Sequence, residues 1–220
     1  MKQPPKPARP SFDEGTRERI LAAALECISS TSVGRLSVRA IAARAGVNVA
    51  TVHYHFGTKD ELISEAFRLF FAPIAARIGA ALDAEAPPRA RLESLLGFYV
   101  EHFHEHPGIF TSFIEALIAS NIKKEPGVVQ GHERVLLEMV GGFRDRLLDL
   151  VSEVTAREDR QDAALLVIHL VASVVHPLVI SSLPATLFGL DFAEEATRRR
   201  YVSLLVEGIA GSGEGLRPKE

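Results

Sequence analysis

The stretch LSVRAIAARAGVNVATVHYHFGTKDELI, residues 36–63, determines the interpretation of the whole chain. Apolar side chains recur at helical spacing over residues 38–45, directly after Ser37, which is a typical helix-capping residue. Gly46 then ends the pattern, and a second short helix is predicted over residues 49–56. Two short helices joined by a tight turn form a helix-turn-helix motif, whose second helix enters the major groove of duplex DNA.

The second of these helices, VATVHYHF, has an unusual composition for a purely structural helix. Val49 lies at its exposed amino end, where an apolar side chain gains little unless a surface such as a thymine methyl group covers it. Val52 and Phe56, four residues apart, can pack inward and hold the helix in place. Polar and aromatic hydrogen-bonding groups fill other positions, namely Thr51, His53, Tyr54 and His55.

The remaining sequence contains no run of alternating β-branched residues, so the chain is predicted to be all-α. Thr58 and Glu61 have the spacing of a capping box, which predicts the start of another helix there. A loop is predicted over residues 123–131. The predicted helices outside the helix-turn-helix cover residues 13–29, 58–81, 89–105, 108–120, 132–157, 163–180 and 192–209.

Charge is distributed unevenly along the chain, although its net charge is only −3. Residues 1–60 contain nine Lys or Arg and five Asp or Glu, whereas residues 61–220 contain 16 and 23. A basic amino-terminal part followed by an acidic remainder is the distribution expected if only the first part meets phosphate groups. The charge pattern therefore agrees with the helix-turn-helix.

The order and spacing of several short segments resemble the TetR family of regulators. The resemblance covers about residues 16–67 and is specific, because the start of the helix after the motif matches as well. The residues that carry it are Ala42, Ala45-Gly46-Val47, Thr51-Val52, Tyr54-His55-Phe56 and Lys59-Asp60-Glu61-Leu62.

The resemblance implies roles for individual side chains in DNA binding. Arg39 matches a position that reaches a base edge or a phosphate, and the family usually has Tyr where this chain has His53, which would make that phosphate contact pH-dependent. Lys59 matches a position near the DNA backbone at the start of a helix. The complete set of implied DNA-contacting residues is Arg39, Val49, Ala50, Thr51, His53, Tyr54, His55 and Lys59.

The resemblance also implies the domain organisation: an N-terminal three-helix helix-turn-helix domain and a C-terminal helical domain for ligand binding and dimerisation. A homodimer can read the two half-sites of an inverted-repeat operator. The apolar segment 163–180 is near the lower length limit for a membrane span, but its histidines and proline favour a core or a subunit interface, paired with segment 192–209 as a four-helix bundle. The predicted divisions are a disordered arm over 1–12, a DNA-binding domain over 13–60 with its motif at 38–57, a helical domain over 61–210, and a flexible tail over 211–220.

The aromatic residues and two histidines supply the candidates for a ligand pocket. Aromatic residues are concentrated in the middle of the chain, where they can form either a core or a pocket wall. The candidates are Phe103 and Phe110, together with His169 and His176, which are also expected to be hydrogen-bonded interior histidines. Few basic residues lie inside these helices, so a small neutral or cationic apolar effector is expected.

Two charged or metal-binding patterns are interpreted as structural. His102 and His106 share a helical face and make a metal site conceivable, but His104 points away and no second cluster supplies ligands, so no metal and no cofactor are predicted. In the run Arg198-Arg199-Arg200, Glu194 and Glu195 precede two of the arginines by four residues. This spacing predicts a solvated, paired helix face and not a second DNA patch.

The sequence therefore predicts a ligand-responsive repressor, with a ligand-independent nucleoid or protein-interaction factor as the alternative. An enzyme is not expected, since no nucleophile elbow, phosphate loop, CxxC pair or paired-carboxylate arrangement is present. An enzyme built on the histidine string would need bound metal. The single Cys27 cannot form an internal disulfide and suits the cytoplasm.

Overall fold

The computed structural model describes residues 12–122, 131–179 and 182–211. Every regular element in these ranges is an α-helix, which confirms the all-α prediction. The helices are α1 (Phe12–Ser30), α2 (Val38–Ala45), α3 (Val49–Phe56), α4 (Lys59–Leu82), α5 (Pro88–Glu105), α6 (Pro107–Ile122), α7 (Gly131–Gly141), α8 (Arg144–Thr155), α9 (Arg160–Val179), α10 (Ser182–Phe188) and α11 (Glu195–Gly211).

The chain divides into two compact units. Of the described residues, the first unit comprises those up to Phe70 and those within Ser112–Val135, and the second comprises Phe71–Thr111 and those from Leu136 onwards. The unit that contains the helix-turn-helix thus extends beyond residue 60, where the sequence placed the end of the DNA-binding domain.

The core of the first unit forms because α1 presents one apolar face. Ile20, Ala24 and Ile28 are spaced four residues apart and are each fully buried. Helix α1 packs against α2, and α2 packs against α3. Phe67 is also fully buried, and its ring meets that of Phe113 edge to face at 4.9 Å. This packing supports the short helices α2 and α3, which are too short to be stable alone.

The second unit is built on α5, α8, α9 and α11, which pack against one another. Apolar residues at intervals of three and four residues on each helix face the shared core, as expected for a helix bundle. The buried residues that these four helices contribute include Leu92, Leu95, Leu96, Val100, Phe103, Leu150, Val151, Ala163, Leu170, Val174, Val202, Val206 and Ile209.

The prediction of one helix over 132–157 is wrong. The structure has two helices there, α7 ending at Gly141 and α8 beginning at Arg144. Two adjacent glycines, Gly141 and Gly142, weaken the helix at this point, and Phe143 is buried with only 7% of its surface exposed. The two glycines therefore allow the helix to break at this point, and the Phe143 ring is buried at the break.

The other predicted helices agree with the structure to within a few residues, and α10 was not predicted. Three predicted segments lie outside the described residues except for one residue each: the arm except residue 12, the loop except residue 131, and the tail except residue 211. Within the described ranges, no helix combines the length and apolar character that crossing a membrane requires.

Candidate nucleic-acid interface

The turn between α2 and α3 depends on a glycine. Ser37 caps α2 by accepting a hydrogen bond from the Ala40 amide at 3.2 Å. At the other end, Gly46 has φ 67° and ψ 34°, a left-handed conformation that costs a residue with a Cβ atom about 1 kcal/mol. The Val47 amide then donates to the Ala42 carbonyl at 3.0 Å, which completes the reversal.

Asn48 caps the amino end of α3. Its side-chain oxygen accepts hydrogen bonds from the Thr51 amide at 2.7 Å and from the Thr51 hydroxyl at 3.0 Å. Val52 and Phe56 are 2% and 5% exposed, so they hold α3 against the first unit as the sequence predicted. The guanidinium of Arg17 lies 5.2 Å from the centre of the Phe56 ring and pairs with Glu65.

The outer surface of α3 carries the predicted DNA-contacting side chains. Tyr54 is 79% exposed, which is unusual for a large aromatic residue unless a partner covers it. Ala50 and His53 are also exposed, while Val49, Thr51 and His55 are partly exposed. The Tyr54 and His55 rings meet edge to face at 5.2 Å, so the cluster is ordered internally.

His53 makes a contact that limits what its ring can donate. Its Nδ1 atom lies 2.7 Å from the Gly57 carbonyl oxygen, and a carbonyl can only accept, so Nδ1 carries the proton. In the neutral ring Nε2 is then an acceptor, and only the protonated ring can donate to a phosphate.

Two further predicted contacts lie on α2 and α4. Arg39 is exposed on the first turn of α2. Lys59 instead donates a hydrogen bond from Nζ to the Val33 carbonyl oxygen at 2.9 Å, within the first unit. The capping box is confirmed, since Thr58 and Glu61 bond each other's amides at 3.0 and 3.1 Å. Lys59 thus braces the start of α4, which the sequence did not indicate.

A cavity of about 530 Å³ lies in the second unit. Arg77 lies on its wall with the guanidinium 4.7 Å from the centre of the Phe98 ring. Phe103 and Phe110, which the sequence offered as ligand-binding candidates, are instead buried and stack on each other at 4.6 Å between ring centres. The residues that line the cavity are Pro73, Ile74, Arg77, Ala81, Ser94, Phe98, Glu101, His102 and Glu105.

The histidines of α9 do not occupy the interior positions expected for them. His169 and His176 are both exposed in the single chain. The interior expectation is therefore wrong for one subunit, because the apolar run of α9 turns only some of its positions towards α5, α8 and α11. In the cavity wall, burial lowers the pKa of His102, with a further contribution from the nearby His106.

The arginine run at the start of α11 also differs from its prediction. Arg199 is exposed and pairs with Glu195, as predicted. Arg198, however, is buried, with 6% of its side chain exposed, and its Nη2 lies 2.6 Å from Glu101 Oε2. Its Nη1 donates to the carbonyls of Phe192 and Ala193 at 2.8 and 2.7 Å. The i,i+4 spacing of the charges could not reveal a partner 97 residues away.

The amino-terminal part of the chain is similar in sequence to known bacterial regulatory proteins. Residues 20–66 match the family model for bacterial regulatory proteins of the tetR family. The HTH-type transcriptional regulator BetI of Rhizobium meliloti (strain 1021) is 31% identical over 80 residues, which is 36% of this chain. The match spans only 39% of the length of that relative.

Solved structures resemble nearly the whole chain, and at this level of identity they show the fold alone. A transcriptional regulator of Rhodococcus sp. Rha1 is 18% identical, with TM-score 0.68, covering 91% of this chain and 99% of that one. FadR of Bacillus subtilis, solved in complex with stearoyl-CoA, is 16% identical, with TM-score 0.65, covering 87% and 98%. Residues 20–66 therefore match the tetR family of bacterial regulatory proteins, and nearly the whole chain shares the fold of these solved regulators.

Proposed function

We propose that this protein is a homodimeric transcription regulator that binds an inverted-repeat operator through α3 and is released by a small effector. The observation that carries the proposal is the surface of α3. Its two apolar anchors are buried, while Tyr54, His53 and Ala50 face outward from a helix that the Gly46 turn holds in position. A helix presented in this way fits the major groove.

The same surface predicts how the protein selects DNA. Arg39 suits the acceptors of guanine, and the Thr51 and Val49 methyl groups suit thymine, so base contacts are expected beside phosphate contacts. Selection of bound duplexes from a random pool is expected to yield an inverted repeat, with half-sites about one helical turn apart. The binding constant is expected to fall steeply with salt as phosphate contacts displace counterions. Recovery of sequences without symmetry, or binding that is independent of salt, would contradict the proposal.

A second copy of the chain is proposed to cover an apolar stripe on α9. The stripe consists of Leu165, Ile168, Ala172, His176 and Val179, all exposed in the single chain and spaced by three or four residues. Leu165 and Ile168 are each 65% exposed, and with the rest of the stripe they form a contiguous, largely apolar surface of the kind that marks a contact between proteins. This spacing is the one that helices use to pack along each other in a symmetric interface.

Charges introduced into this stripe are expected to separate the subunits. The double variant Leu165→Glu, Ile168→Glu places four like charges in the proposed interface, and we expect the dimer dissociation constant to rise at least about tenfold. Analytical ultracentrifugation measures it. The variant Ile118→Glu is the matched control, since Ile118 is also exposed, at 56%, but lies on α6. An unchanged dimer in the double variant would place the interface elsewhere.

The cavity of the second unit is the proposed effector site. Its volume lies in the range of small-molecule pockets, and Pro73, Ile74 and Phe98 supply apolar wall. The wall also carries groups of both charges, Arg77 together with Glu101 and Glu105, so we propose an effector with a large apolar part and a polar or charged group. The stearoyl-CoA in the solved FadR complex supports a role for an acyl-like apolar group in such a fold. If the second unit had no such cavity, the alternative function, a nucleoid or protein-interaction factor without a small ligand, would be favoured instead.

A further inference from the structure

Three potential metal ligands converge at the carboxyl end of α5. His102, Glu105 and His106 each offer one ligand atom, and these atoms all lie within 4.8 Å of one another. The Nδ1 atom of His102 lies 3.6 Å from Oε2 of Glu105, and the two imidazole rings are 4.7 Å apart between centres. For comparison, two ligands of one zinc ion with bonds of about 2.1 Å are separated by about 3.4 Å.

The helix geometry explains the convergence. Residues three and four apart lie on one face of a helix, so the side chains of His102, Glu105 and His106 project from the same turn. His106 directly follows α5 as its capping residue, and its amide donates to the His102 carbonyl at 3.2 Å, which keeps it in this register. His104 of the same histidine string lies on the opposite side and is exposed.

The His102 ring is held by aromatic neighbours. It stacks on Phe98 at 5.6 Å between centres with 28° between the planes, and meets Phe110 edge to face at 6.1 Å. A ligand whose rotamer is already restricted loses less conformational entropy when it binds an ion. His102 and Glu105 also line the cavity of the second unit, so the open coordination positions of an ion there would face solvent or a bound molecule.

We propose that His102, Glu105 and His106 form a site for a divalent transition-metal ion. Two imidazole nitrogens and one carboxylate oxygen are donors that suit Zn²⁺, Co²⁺ or Ni²⁺, whereas Mg²⁺ and Ca²⁺ prefer oxygen ligands alone. The sequence had led to the opposite expectation, because His104 points away from this face and no second cluster in the sequence supplies ligands. Glu105, at the end of α5, supplies a third ligand beside the two histidines. These three ligands leave further coordination positions of the ion for water.

Titration of the full, tag-free chain with metal after dialysis against a chelator tests the site. One Zn²⁺ per chain is expected by isothermal titration calorimetry, with no binding of Mg²⁺ at the same concentrations, and Co²⁺ is expected to give a visible absorption band. Each of the variants His102→Asn, Glu105→Gln and His106→Asn is expected to weaken Zn²⁺ binding at least tenfold, since each removes a direct ligand.

His104→Asn is the matched control, because it removes an imidazole from the same turn without touching the proposed site. It is expected to bind Zn²⁺ as the wild-type protein does, and circular dichroism of all four variants without metal checks that they fold. The proposal is overturned if Zn²⁺ binding is absent, if His104→Asn weakens it as much as the other variants, or if the three ligand variants bind Zn²⁺ like the wild-type protein.

Discussion

The double variant Thr51→Ala, Tyr54→Ala is expected to weaken operator binding by about 1,000-fold. Tyr54 is proposed to make one hydrogen bond to DNA and the Thr51 methyl group one apolar contact, each worth about 1 kcal/mol, and the dimer makes each contact twice, so about 4 kcal/mol is lost. Fluorescence anisotropy with the duplex selected by the wild-type protein, at one fixed salt concentration, measures this loss. A loss below about tenfold would move the DNA-contacting surface away from α3.

The structure indicates that this double variant still folds. Tyr54 is 79% exposed, so its ring contributes little to the core. Thr51→Ala leaves the Thr51 amide in place, and it is this amide that the Asn48 cap holds at 2.7 Å. Ser29→Ala is a suitable control, because Ser29 is exposed at the end of α1 and its hydroxyl donates only to the Glu26 carbonyl at 2.9 Å. Wild-type affinity is expected for this control.

Removal of the buried Arg198 side chain is expected to be the most destabilising of the single substitutions considered. Arg198→Ala leaves the Glu101 carboxylate and the two backbone carbonyls of Phe192 and Ala193 without their donors. We expect the free energy of unfolding to fall by about 3 kcal/mol, at the lower end of the range for a broken buried ion pair because Glu101 retains contact with water. Urea unfolding followed by circular dichroism measures the change.

Arg199→Ala provides the comparison for this substitution. Arg199 is 76% exposed at the side chain and pairs only at the surface with Glu195, so its loss is expected to change stability by less than about 0.5 kcal/mol. If the two substitutions lowered the free energy of unfolding equally, the buried ion pair of Arg198 would contribute no more to stability than a surface ion pair.

The same ion pair predicts how stability depends on pH. The hydrogen bond from Arg198, together with its positive charge, lowers the pKa of Glu101 below the ordinary glutamate value. A carboxyl group whose pKa is lowered on folding stabilises the native state above its unfolded pKa, and this contribution is lost as the pH falls through the folded value. The difference in stability between the wild-type protein and Glu101→Gln is therefore expected to be constant near neutral pH and to shrink in acid.

The helix-turn-helix could be predicted almost residue by residue from the sequence, because its determinants are local. Ser37, Gly46 and Asn48 act on backbone groups within four residues of themselves, and the alternation of buried and exposed positions on α3 follows helical spacing. The start of α4 follows for the same reason. These parts of the candidate site required no knowledge of the rest of the chain.

Predictions failed where the deciding contact is distant in sequence. Arg198 looked like one of three surface arginines, but Glu101 and two carbonyls draw it into the interior. A predicted long helix is divided next to Phe143, which is buried where two adjacent glycines weaken the helix. Composition and spacing along one helix carry no information about such partners.

By itself, the sequence determined the all-α character, the helix-turn-helix and the outward-facing polar surface of α3, since capping, glycine turns and helical periodicity act over a few residues. Only the tertiary structure decided which arginine is buried and where the cavity lies. The physical reason is that burial and ion pairing depend on the packing of helices distant in the chain, which no local pattern encodes.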